Sequence, residues 1–81
     1  MDFERTQYMG QREQKKLELK KLELSIKGLK ESIRTQLNPF ITIEEIDQEV
    51  VAAQAFDLAE KVIKYKALVA EIAAINKALG A

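Results

Sequence analysis

Few side chains in this sequence have a type and a placement that suggest chemistry. The 81 residues include no histidine and no cysteine, which removes the usual general base, the thiol nucleophile and the common zinc ligands. The two serines, Ser25 and Ser32, stand in no motif that supplies a base. We therefore expect no catalytic residue, no metal site, no bound cofactor and no enzyme activity.

The one cluster of carboxylates has a structural explanation. Thr42-Ile43-Glu44-Glu45 matches a capping box, in which Thr42 would accept from the backbone N–H of Glu45 and Glu45 would reach back. Ile41 and Ile46 occupy the two positions of a hydrophobic staple. The acidic residues that follow would stabilise the positive end of a helix dipole. The sequence predicts a helix that begins at Ile43, with Thr42 as its N-cap.

The same break organises the whole chain. Pro39 is the only proline, and the residue before a proline is driven out of the helical region. Leu, Lys, Glu, Gln and Ala dominate on both sides of it, and Gly80 is placed to end the second segment. We expect an all-α fold, in which long helices at about 3–37 and 43–79 form an antiparallel hairpin within a single domain, 1–81. In such a hairpin residue i should face roughly residue 80 − i.

Both helices have a regular apolar seam. In the first helix the seam comprises Leu19, Leu22, Ile26, Leu29 and Ile33, at alternating spacings of three and four residues. In the second helix a heptad seam comprises Val51, Ala55, Leu58, Val62, Tyr65, Val69, Ile72, Asn76 and Leu79. A second stripe lies beside it, made of Ala52, Phe56, Ala59, Ile63, Ala70 and Ala73. The second helix is therefore predicted to be apolar over more surface than one partner helix can cover.

This surplus predicts self-association. Under the expected pairing, the C-terminal half of the second helix faces Tyr8, Arg12 and Lys15, which cannot bury it. We expect a homo-oligomer, with a dimer favoured, that forms a four-helix bundle or coiled coil. The predicted interface residues are Phe56, Val62, Ile63, Tyr65, Val69, Ile72, Ile75 and Leu79. The alternative is that this face packs on another protein, as in a subunit or adaptor of a hetero-complex.

A basic stripe follows the first helix. From Arg5 to Arg34 there are nine Lys and Arg against four Glu, a local charge of +5. The stripe comprises Arg12, Lys16, Lys20, Lys27, Lys30 and Arg34, which share one side of a helical wheel. It could meet the phosphates of a nucleic acid or another acidic partner. The favoured interpretation is a solvated face with intrahelical pairs such as Glu23–Lys27 and Glu31–Arg34.

These features together predict a small non-enzymatic assembly or interaction protein that oligomerises through its second helix. A small regulator that binds nucleic acid through the basic stripe is the first alternative, and a subunit of a hetero-complex is the second. No stretch is long and apolar enough for a membrane span, and the first residues lack the pattern of a secretory signal. We therefore expect a cytoplasmic location and no membrane partner.

Overall fold

The computed structural model describes residues 2–80, which form two long helices packed as an antiparallel hairpin. Helix α1 spans Asp2–Gln36, a 3-10 turn spans Ile43–Glu45, and helix α2 spans Gln48–Ala78. The described part of the chain contains no strand. It forms a rod with extents of 63 × 15 × 15 Å. The predicted hairpin fold is confirmed, while the limits of the expected domain, Met1 and Ala81, lie outside the described residues.

Helix α1 ends where the proline requires it to end. Gln36 is its last residue, and the backbone N–H of Phe40 then donates to Asn38 Oδ1 at 2.7 Å. The Asn38 side chain thus closes a turn around Pro39, a bond that asparagine commonly makes in loops. At the other end of the hairpin Gly80 has a φ of +76°, the left-handed conformation that favours glycine after a helix. Both predicted stops are confirmed.

The predicted start of the second helix is wrong by five residues. The Thr42 side chain makes no capping hydrogen bond, and the carboxyl-rich segment after it forms only the 3-10 turn. Asp47 is the N-cap of α2 instead, since its Oδ1 accepts from the backbone N–H of Val50 at 3.2 Å. An aspartate is among the best N-cap residues, so the later cap prevails over the earlier capping-box pattern.

The later start changes how the helices pair. Lys15 Nζ lies 2.8 Å from Glu71 Oε2, and the Tyr65 hydroxyl donates to Glu23 Oε1 at 3.1 Å. The residue numbers of these two pairs add up to 86 and 88, and not to the predicted 80. The displacement amounts to about two helical turns, because a longer connection separates α1 from α2.

The contact face of α2 is rotated slightly from the predicted seam. Seven of the nine predicted seam residues are half-buried, but Ala55 and Val69 are exposed, and Gln54, Lys61, Leu68 and Ile75 also lie towards α1. Leu68 and Ile75 are the two buried side chains of residues 2–80. The predicted seam of α1, from Leu19 to Ile33, is half-buried as expected. The hairpin therefore has one line of contact and a very small core.

Polar side chains interrupt that line near the loop. Gln36 Nε2 donates to Gln54 Oε1 at 2.7 Å, and Gln54 Nε2 donates to Ser32 Oγ at 2.9 Å. We call Ser32, Gln36 and Gln54 the polar cluster. It joins the helices by side-chain hydrogen bonds at a position where apolar packing would otherwise be expected.

Candidate interaction surfaces

Two large apolar side chains of α2 point away from α1. Phe56 and Ile63 are 69% and 70% exposed, and each precedes by nine residues a side chain that lies towards α1, Tyr65 and Ile72 respectively. Nine residues correspond to half a turn out of phase at about 100° per residue. We call this face the outer stripe. It comprises the six residues of the second stripe predicted from the sequence, all of which are exposed: Ala52, Phe56, Ala59, Ile63, Ala70 and Ala73. One charged residue, Lys66, lies on this face between Ile63 and Ala70.

The predicted interface residues divide between the two sides of α2. Ile75 is buried, and four others are half-buried on the side that packs against α1. Those four are Val62, Tyr65, Ile72 and Leu79. Phe56, Ile63 and Val69 remain exposed. The hairpin therefore uses five of the eight residues at least partly for its own packing, and the other three are exposed.

The basic stripe of α1 lies along one flank of the hairpin. Arg12 Nη1 donates to Asn76 Oδ1 at 2.9 Å, which ties this side chain to α2. Lys16 Nζ lies 3.8 Å from Glu13 Oε1, a distance too long for a hydrogen bond. The remaining members are exposed and make no ion pair within residues 2–80: Lys20, Lys27, Lys30 and Arg34.

The intrahelical pairs expected for this stripe are not formed. The Glu23 carboxylate accepts from the Tyr65 hydroxyl, and the ion pairs within residues 2–80 include neither Glu23–Lys27 nor Glu31–Arg34. The hydrogen bond to Glu23 and partial desolvation raise the pKa of Tyr65 above its ordinary value of 10.0. The structure thus leaves the cations nearest the loop without an internal counter-charge.

A groove opens between these cations and α2. Its apolar floor includes Ile33, Leu37 and Leu58, while Lys27, Lys30 and Arg34 line its edge together with the single carboxylate of Glu31. We call it the cationic groove. A neighbouring hollow shares Arg34 and Leu37 with it and extends to Pro39 and Phe40. The groove therefore combines an apolar floor with a net positive edge, close to the loop.

The loop carries two exposed apolar side chains that sequence reasoning missed. Phe40 is 93% exposed and Ile43 is 87% exposed, whereas the predicted staple residues Ile41 and Ile46 are half-buried. Glu44 and Glu45 stand beside Ile43, are exposed and make no ion pair within residues 2–80. The available signal was the crowding of four apolar residues, Phe40, Ile41, Ile43 and Ile46, into one short loop.

The outer face of α1 is apolar at fewer positions. Leu17 and Leu24 are exposed, seven residues apart, and the intervening side chains are mostly charged. A methyl group added at Gly28 would meet no atom within 4 Å, so no close helix contact in this chain explains that glycine. This face offers two leucines with the same spacing as Phe56 and Ile63, which makes it a matched reference surface.

Within residues 2–80 no group of three or more acidic side chains is placed to hold a metal ion. Neither helix contains a segment apolar enough over sufficient length to cross a membrane. No family model, no curated protein and no solved structure matches this chain.

Proposed function

We propose that this chain is a non-enzymatic helical interaction protein that self-associates through the outer stripe of α2. The observation that carries the proposal is the exposure of Phe56 and Ile63 on one face, on the side of α2 away from α1. Exposed apolar stripes of this kind usually mark protein interfaces. The favoured product is a dimer in which two hairpins form a four-helix bundle.

The total surface supports the same proposal. The chain exposes 6552 Å², and a compact folded monomer of its 9.2 kDa mass would expose about 4,900 Å². The surplus of about 1,600 Å² exceeds the ~800 Å² that each partner contributes to a standard interface. With two buried side chains among residues 2–80, the hairpin alone also has little core to stabilise it. A second hairpin would supply the missing contacts.

The test compares two matched double variants by sedimentation equilibrium. Phe56→Glu with Ile63→Glu places two charges in the proposed interface, so the mass of the wild-type oligomer should fall towards 9.2 kDa. Leu17→Glu with Leu24→Glu has the same spacing on α1 and should leave the mass unchanged. Both are measured at micromolar protein and about 0.5 M salt, where the Debye length is about 4 Å and charge attractions between chains are weak.

Two results would contradict the proposal. A wild-type mass of 9.2 kDa under these conditions would favour a subunit that needs a different protein. Dissociation by the Leu17 and Leu24 changes, with no effect of the Phe56 and Ile63 changes, would move the interface to α1.

A further inference from the structure

The cationic groove and the loop of this chain have complementary properties. The groove has an apolar floor and three cations at its edge. Glu31 is the one acidic residue among the residues that line it. The loop presents Phe40 and Ile43 almost fully exposed, with Glu44 and Glu45 beside them. Apolar surface can therefore meet apolar surface while carboxylates meet ammonium and guanidinium groups.

The loop does not satisfy its own groove. Phe40 and Ile43 would be covered if the loop folded back onto the hairpin, and their exposure shows that it does not. The loop has a defined shape nonetheless: Glu45 N donates to Thr42 O at 3.1 Å, and Ile46 N donates to Ile43 O at 3.2 Å. An ordered loop loses less conformational entropy when it docks than a disordered one would.

We propose that the cationic groove receives the loop of a second copy of this chain. Lys30 and Lys27 lie six and nine residues before the end of α1, about 9 and 13 Å along the helix. Two rods that overlap by this short distance at their loop ends can each place a loop in the groove of the other. The contact is then reciprocal, as two-fold symmetry requires. It does not use the outer stripe and is a second, independent interface.

A nucleic acid is a weaker match to the same groove. Phosphates would pair with the cations, but they would leave the apolar floor of Ile33, Leu37 and Leu58 uncovered. Stacking platforms for bases are built from aromatic side chains; none lines the groove itself, and the hollows that share its cations contribute only Phe40 and Tyr65. The second copy accounts for the floor and the edge together.

The experiment is a charge exchange between two variants. One carries Lys27→Glu with Lys30→Glu, and the other carries Glu44→Lys with Glu45→Lys. These side chains are exposed and make no ion pair within residues 2–80, so both variants should keep the hairpin, as circular dichroism can check. At about 0.05 M salt, each variant alone should self-associate about tenfold more weakly through this contact than the wild type.

Mixing the two variants supplies the decisive measurement. The proposal expects an equimolar mixture to regain association, because each reversed groove meets a reversed loop. A zero-length carbodiimide cross-linker applied to mixed light and heavy isotope chains should join Lys27 or Lys30 to Glu44 or Glu45 of different wild-type chains. In the mixture it should join the reversed residues in the same way.

Three outcomes would overturn the proposal. The mixture of variants could associate no better than each variant alone, or cross-links could form only within single chains. Lys27→Glu with Lys30→Glu could also abolish binding of a short DNA duplex while the mass of the protein in solution stays that of the wild type. The last would assign the groove to nucleic acid. Phe56→Glu with Ile63→Glu should leave the low-salt cross-link in place. Failure of the outer-stripe interface and failure of the loop contact can thus be told apart.

Discussion

The two ends of the hairpin use the same helix-to-helix contact in different ways. In the terminal half, residues 2–22 and 65–80, the contact contains both buried side chains, Leu68 and Ile75. In the loop half, residues 23–64, the polar cluster occupies the contact and Phe56 and Ile63 point outward. The comparison teaches that apolar content alone does not decide packing. The terminal half buries Leu68 and Ile75 between the helices, whereas the loop half leaves Phe56 and Ile63 exposed.

The largest expected effect is the loss of packing in the terminal half. Leu68→Ala removes a side chain that is buried between the helices, and such truncations typically cost about 2–5 kcal/mol. The free energy of unfolding, measured in urea, should fall by at least ~2 kcal/mol. The exposed Leu24→Ala is the matched control and should change it by less than about 0.5 kcal/mol. Equal losses in the two variants would remove the basis of the comparison.

A smaller effect is expected at the cap of the loop half. Asp47→Ala removes the acceptor for the Val50 N–H and should cost about 1 kcal/mol of stability. Thr42→Ala should cost much less, because the Thr42 side chain makes no capping bond. Thermal melting of both variants checks the order. A larger loss for Thr42→Ala would restore the capping-box start and contradict the structure.

The smallest effect concerns Tyr65, at the border between the halves. Its pKa is raised in the folded state by the hydrogen bond to Glu23, so the fold favours the protonated phenol. The stability that this provides is present below the unfolded pKa of about 10 and is lost as the pH rises through the higher folded value. The melting midpoint of the wild type should therefore fall more steeply above pH ~10 than that of Tyr65→Phe.

Tyr8→Phe is the control variant, because it also removes a phenol hydroxyl, but one that makes no hydrogen bond within the described chain. The difference from Tyr65→Phe should persist in this background. Identical pH profiles for the wild type and Tyr65→Phe would show that the Glu23 bond does not form in solution.

The elements of the fold could be predicted because their signals are local. The ring of Pro39 disfavours a continued helix, so α1 ends before it, and Gly80 ends α2 because it adopts a positive φ. Apolar residues spaced by three and four positions mark the seam of α1. Each of these can be recognised within a few residues. The stop signals and the all-α hairpin were therefore accessible without the structure.

The register could not be predicted in the same way. Thr42 and Asp47 are both good N-cap residues, five positions apart, and choosing between them moves every pairing of α2 against α1. The seam of α2 was equally ambiguous, since Leu68 and Val69 are neighbours and both are apolar. A helix with apolar residues on several faces has no strong period to indicate which face is buried. The cationic groove depended on both choices.

Pro39 has a further consequence for how chains exchange. Small hairpins can swap domains by straightening their loop into one long helix, whose halves then pair with another straightened chain. Proline inside a helix costs about 3 kcal/mol, and here Asn38 also binds the backbone after it at 2.7 Å. Straightening is therefore disfavoured, and in the oligomer proposed above the chains should exchange as intact hairpins. Mixed oligomers should form without unfolding, at the rate at which folded chains dissociate.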